Sequence, residues 1–119
     1  MGLLADLGAY RVVVEVTLLS FDDCPNWRRA ADLIERLARE HQDVTVSYRI
    51  VNTDSDAQQL GFVGSPTILI DGVDPWATSD APVGLSCRIF ATPDGPKGSP
   101  TWEQLTAAVQ RPGPDVGAT

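Results

Sequence analysis

Ser20-Phe21-Asp22-Asp23-Cys24-Pro25-Asn26-Trp27 joins two segments of different periodicity and places a cysteine at the joint. Upstream, Arg11–Ser20 is rich in Val, Leu and Thr and almost continuously apolar after Val12, the pattern of a buried central strand. Downstream, from Pro25 to about Glu40, Ala30, Leu33, Ile34, Leu37 and His41 recur at helical spacing. Proline suits the first helical position, where its missing N–H would have no partner anyway. The opposite helix face is charged, with Arg28–Asp32, Asp32–Arg36, Glu35–Arg39 and Arg36–Glu40 four residues apart. Each such pair adds roughly a few tenths of a kcal/mol. A thiol at a helix N-terminus faces the positive end of the dipole and unpaired N–H groups, a setting that favours thiolate. Arg28 adds to that field if it turns back, Asp22 and Asp23 oppose it, and Trp27 both shelters and desolvates the sulfur.

Working outward, Val44, Val46, Tyr48 and Ile50 alternate with Thr45, Ser47 and Arg49, so Val44–Val51 is a second strand. Asp54 is placed to cap a short helix through Leu60. After Gly61 and Gly64, Pro66 opens a third strand, Thr67–Ile70. Asp71-Gly72 is a strong hairpin signal, with Val73–Asp74 beginning the return strand. Cys87–Ala91 is another extended candidate, and Pro93-Asp94-Gly95-Pro96 is a turn. Thr101–Gln110 closes as a helix capped by Thr101, with Trp102, Leu105 and Val109 on the buried stripe. Residues 111–119 hold two prolines and two glycines and have the composition of a frayed tail.

The order is β-α-β-α-β-β-α. It predicts an α/β fold with one mixed four-stranded sheet and helices on both faces. At 119 residues the chain is expected to be one domain spanning 1–119, with its core over about 12–110.

The net charge of −7 argues against nucleic acid and against an anionic membrane surface as partners. No apolar run approaches the roughly 20 residues of a membrane span. The start lacks the basic region of a secretory signal, so the expected location is cytoplasmic. There is no Walker loop, Gly-x-Gly-x-x-Gly run or His-Glu-x-x-His helix, and no cofactor is expected. Two cysteines with one distant His make a weak zinc signal. In a reducing compartment the cysteines are a transient redox pair, two soft-metal ligands or two unrelated thiols.

Cys-Pro at the first helix and Gly64-Ser65-Pro66-Thr67 before the third strand resemble the thioredoxin fold. The resemblance implies that Cys24 is the attacking cysteine and that Pro66 is a cis-proline lying against it. It also implies that Ser65 offers its backbone to a bound peptide or glutathione-like thiol as an added strand. More narrowly, Cys24-Pro25-Asn26, Gly64-Ser65-Pro66-Thr67 and Gly84-Leu85-Ser86-Cys87-Arg88 are similar to small bacterial thioredoxin-like proteins, some labelled alkylmercury-lyase-like. The implied activity is thiol–disulfide exchange with a protein or small-molecule partner.

The chain departs from the dithiol pattern where Trp27 stands in place of a second cysteine. Either exchange stops at a mixed disulfide, or the resolving thiol is elsewhere, with Cys87 the candidate, or there is no redox chemistry. In one threading the loop after the hairpin brings Cys87 beside Cys24. In the other, Cys87–Ala91 is the fourth strand and Cys87 starts at the far end of the sheet, beyond disulfide reach. Arg88 either favours a neighbouring thiolate or binds a carboxylate. The candidate catalytic residues are therefore Cys24 and Cys87, and the candidate substrate contacts are Trp27, Ser65, Pro66 and Arg88. The alternative function is non-catalytic binding of mercury, copper or a protein by the thiols. His41 is read as a helix-end residue, and Trp76 and Trp102 as packing.

Overall fold

A computed structural model describes residues 13–78 and 82–110. The expected N-terminal end of the first strand and the expected tail at 111–119 lie outside them. The elements are β1 (Val14–Ser20), α1 (Trp27–Glu40), β2 (Val44–Ile50), α2 (Asp54–Leu60), β3 (Thr67–Ile70), β4 (Phe90–Thr92), β5 (Gly95–Lys97) and α3 (Trp102–Gln110).

β1 is central. It pairs parallel with β2, Val14 opposite Val44, and antiparallel with β3, Val16 opposite Ile70. Alternation along β1 sends its side chains to two faces. Val14, Val16 and Leu18 join Ala30, Ile34 and Leu37 of α1, Ile68 of β3, and Leu105 and Val109 of α3 in one buried cluster. Leu19 lies on the other face, with Val51, Phe62 and Ala57 of α2. Each fully buried aliphatic or aromatic side chain in these clusters contributes about 1.5–3 kcal/mol.

The expected four-stranded sheet is not formed. The strands divide into a three-stranded sheet, β2-β1-β3, and a separate antiparallel pair, β4-β5. The hairpin signal is locally correct. Asp71 and Gly72 both have positive φ (52° and 83°), and Ile70 and Val73 exchange backbone hydrogen bonds. Positive φ at both central residues defines the tight turn whose twist matches its flanking strands. The return stops after that bridge because Pro75 has no N–H to continue a ladder. The Asp74 carboxylate also accepts from the Trp76 N–H and bends the chain away.

Three helix starts show how capping sets the boundaries. α1 begins at Trp27, two residues later than expected, and its N-cap Asn26 makes no side-chain capping bond. α2 is capped by Thr53, not Asp54, through the Asp56 N–H. α3 opens with a reciprocal box. Thr101 Oγ1 accepts from the Gln104 N–H, and Gln104 Oε1 accepts from the Thr101 N–H. Gln104 also donates to the Ala91 carbonyl, tying α3 to β4. His41 sits at the C-cap of α1. Of the four helix ion pairs considered, Arg36–Glu40 forms, at 3.0 Å. Glu35 instead accepts from the Tyr48 hydroxyl of β2. Trp102 lies beneath the Arg36 guanidinium at 3.8 Å, and Trp76 meets Phe90 edge-on at 5.8 Å. No helix among the described residues is long and apolar enough to cross a membrane.

Candidate functional site

The site forms where β1 ends, α1 begins and the chain enters β3. Cys24 is held by a turn in which its N–H donates to the Phe21 carbonyl. Its side chain is 1% exposed. Its sulfur donates to the Ser65 carbonyl oxygen at 3.3 Å and lies 3.8 Å from Cys87 Sγ. The first threading of the loop is therefore the one adopted, and two cysteines far apart in sequence meet. Both are free thiols, Cys24 buried and Cys87 exposed. The Ser65–Pro66 peptide is cis, and both residues are buried.

Ser65 organises the pair. Its N–H donates to the Ser86 carbonyl at 2.8 Å, and its carbonyl accepts from the Arg88 N–H at 2.8 Å. These bonds form a parallel bridge between Ser65 and Cys87. The Ser65 hydroxyl accepts from the Phe21 N–H at 3.4 Å, linking the bridge to the loop before Cys24. Gly64, at φ 129°, lets the segment come this close. A Cβ there would stand 3.1 Å from Arg88 Cβ and 3.2 Å from the Ser86 carbonyl oxygen. The chain's own residues use both Ser65 backbone groups, so a peptide strand added at Ser65 would have to displace Ser86 and Arg88.

Arg88 is turned inward. Its guanidinium engages both carboxylate oxygens of Asp74, the Trp76 carbonyl and Thr67 Oγ1, and lies 4.7 Å from the Phe90 ring. The side chains of the Arg88–Asp74 pair are only 8% and 12% exposed. A partner carboxylate would have to displace Asp74. Trp27 packs, half-buried, against the main core with Arg28 5.0 Å from its ring. Asn26 packs against Gly98, where a Cβ would meet its amide at 2.5 Å, so the chain after β5 borders the start of α1.

The Cys87 thiol is held above its ordinary range. Its hydrogen bond with Cys24 is the largest cause, followed by partial burial and by the charge of an ionised Cys24. Such a pair shares its protons, and the first to leave makes the second harder to remove. Among the described residues no group of three or more His, Cys, Asp or Glu side chains gathers as a metal site.

The order of strands and helices resembles the general thioredoxin-like α/β topology. No protein-family model, curated protein or solved structure matches the chain.

Sequence reasoning missed Asp74 and the tight approach at Gly64. Asp74 carries no signal beyond a charge opposite to that of Arg88. Gly64 could have been found from its place directly before Ser65-Pro66, where a glycine permits close backbone contact.

Proposed function

We propose that this chain is a thiol–disulfide exchange protein whose working pair is Cys24 and Cys87. The observation that carries the reading is the 3.8 Å separation of the two sulfurs across a backbone bridge. The three segments that resemble small thioredoxin-like proteins converge on that point, which supports the same assignment. Cys87 supplies the second thiol that Trp27 denies to the helix.

The difference in exposure supports an order of events. Cys87, the exposed sulfur, meets the partner first; its thiol, held above its ordinary range, gives up its proton to solvent and attacks one sulfur of a partner disulfide R–S–S–R. The bond between the partner sulfurs breaks, Cys87–S–S–R forms, and one R–S⁻ leaves. The buried Cys24 sulfur then attacks Cys87 Sγ. The internal disulfide forms and the second R–S⁻ leaves. The protein loses two electrons and two protons, and the partner becomes two thiols. The resemblance implies Cys24 as the attacking cysteine; with Cys24 buried and Cys87 exposed the proposed roles are exchanged, so that Cys24 is the resolving residue in this direction and the leaving group in the reverse.

Incubation of the reduced chain with graded ratios of reduced and oxidised dithiothreitol tests this reading. An internal disulfide, detected as a loss of two mass units and lost in Cys24→Ser and in Cys87→Ser, is the expected result. Two free thiols at every ratio would refute it.

A second reading rests on the same two sulfurs. Among the described residues no third ligand gathers beside them, and a pair of thiolates suits a soft ion such as mercury or copper(I). Native mass spectrometry should then show one metal retained by the reduced chain and none by either single variant. Retention by both variants would exclude it.

A further inference from the structure

An added strand needs a free N–H and C=O on the edge that receives it. Beside Cys24 that edge is Ser65, and three independent observations show it filled from within. Both Ser65 backbone groups are bonded at 2.8 Å to Ser86 and Arg88. Gly64 leaves no gap, since even a methyl group would press on Arg88 and Ser86. The Arg88 guanidinium is anchored below by Asp74, Trp76 and Thr67. Cys87 therefore stands in the position of a docked partner's cysteine. What remains open is its exposed sulfur, together with a cavity of about 410 Å³ lined by Phe21, Asp22, Asp23, Asn52 and Leu85. That cavity lies between the segments leading to the two cysteines and falls in the size range of small-ligand sites. Its charged lining is two carboxylates, with Asp22 fixed by hydrogen bonds to Asn52.

We propose that Ser86–Arg88 is a built-in occupant of the strand-addition site, so that the dithiol exchanges with small, neutral or cationic aliphatic disulfides and not with extended peptides. The inference rests on the dithiol reading above and names the substrate class of that site. The electron balance is unchanged. The small disulfide is the oxidant and leaves as two small thiols.

The test uses the reduced full chain with three oxidants: hydroxyethyl disulfide, cystamine, and the disulfide of a neutral seven-residue peptide with a central cysteine. The rate of internal disulfide formation is divided by the rate of each oxidant with dithiothreitol. The peptide is expected to be no faster than hydroxyethyl disulfide. Cystamine is expected to be about five-fold faster at 0.1 M salt, an advantage that vanishes at 1 M. A peptide rate more than ten-fold above the small neutral disulfide, saturating with concentration, would overturn the proposed class and leave the dithiol reading intact. Cystamine slower than the neutral disulfide would overturn the charge preference. No internal disulfide from any oxidant would instead overturn the dithiol reading itself. The double variant Asp74→Asn/Arg88→Met removes the anchor without stranding a charge, and it should raise the peptide's relative rate. The wild-type comparison decides the matter even if that variant does not fold.

Discussion

Closing the bond between Cys24 and Cys87 should stabilise the fold by about 4 kcal/mol. The two residues are 63 apart in sequence. A cross-link removes loop-closure entropy from the unfolded chain in proportion to the logarithm of loop length, which for a loop of this size comes to about 4.3 kcal/mol at 25 °C. The native state adds little opposing strain only if the sulfurs are already neighbours, and they stand 3.8 Å apart across a bridge. The assay is urea denaturation of the oxidised chain and of the same chain in excess reductant. With a slope of about 1.5 kcal/mol per molar, the midpoint should rise by roughly 2–3 M. A closed thermodynamic cycle makes the effect reciprocal. Whatever the disulfide adds to the fold, the fold adds to the disulfide. The internal bond should therefore be about a thousand-fold more favourable in the folded than in the unfolded chain, or about 90 mV more reducing. An oxidised form no more stable than the reduced one would refute the reasoning, because it would mean that the native backbone must distort to close the bond.

Three further outcomes follow from the site. Cys24→Ala removes the hydrogen bond and the charge that hold the Cys87 proton, so alkylation of Cys87 at pH 7–8 should be faster in that variant than in the parent. Because the folded reduced chain holds that proton more tightly than the unfolded chain does, its stability should fall as pH rises through the Cys87 range, and not below it. Gly64→Ala should slow internal disulfide formation, since the new methyl group and the positive φ both force the Ser86–Arg88 segment away; an unchanged rate would contradict the contact. Tyr48, raised to about 12 by partial burial and then by its bond to Glu35, should ionise near that pH, and Glu35→Gln should lower it. Absorbance at 295 nm, compared with Tyr48→Phe, reads both.

The strands and helices of the three-stranded half were legible because each has one dominant cause. β1 buries Val14, Val16 and Leu18 on one face and Leu19 on the other, and α1 carries its buried stripe at helical spacing. Asp71-Gly72 and Thr101-x-x-Gln104 are short-range signals that act as they do in isolation. What failed was non-local. Whether Val73 starts a strand depends on Pro75, which has no N–H to extend a ladder, and on Asp74, whose use is decided by a residue fourteen positions away. Arg88 beside a cysteine left open whether it favours a thiolate or binds a carboxylate. The ring of Phe90 and the carboxylate of Asp74 make it an interior cation, and no sequence spacing reports that choice. The sulfur pair was one of two threadings, separated by backbone bonds between Ser65 and Ser86–Arg88 that carry no side-chain identity.

Those backbone bonds also explain how a chain without adjacent cysteines can hold a dithiol at all. When two cysteines share one helical turn, their separation is set by the helix. Here the second cysteine comes from a loop, and its position must be set by contacts. The bridge to Ser65 fixes the backbone of Cys87, Gly64 fixes its depth, and the buried Arg88–Asp74 pair fixes the strand's far side. Breaking a buried ion pair by removing one partner costs about 3–5 kcal/mol, because the other charge is left uncompensated. Arg88→Met should therefore destabilise the reduced chain on that scale, while Asp74→Asn/Arg88→Met should recover part of the loss. The double variant separates the two roles of the pair. Restored stability with a still-weakened internal disulfide would show that the ion pair sets the position of Cys87 as well as holding the core. Stability and disulfide strength recovering together would show that it only holds the core.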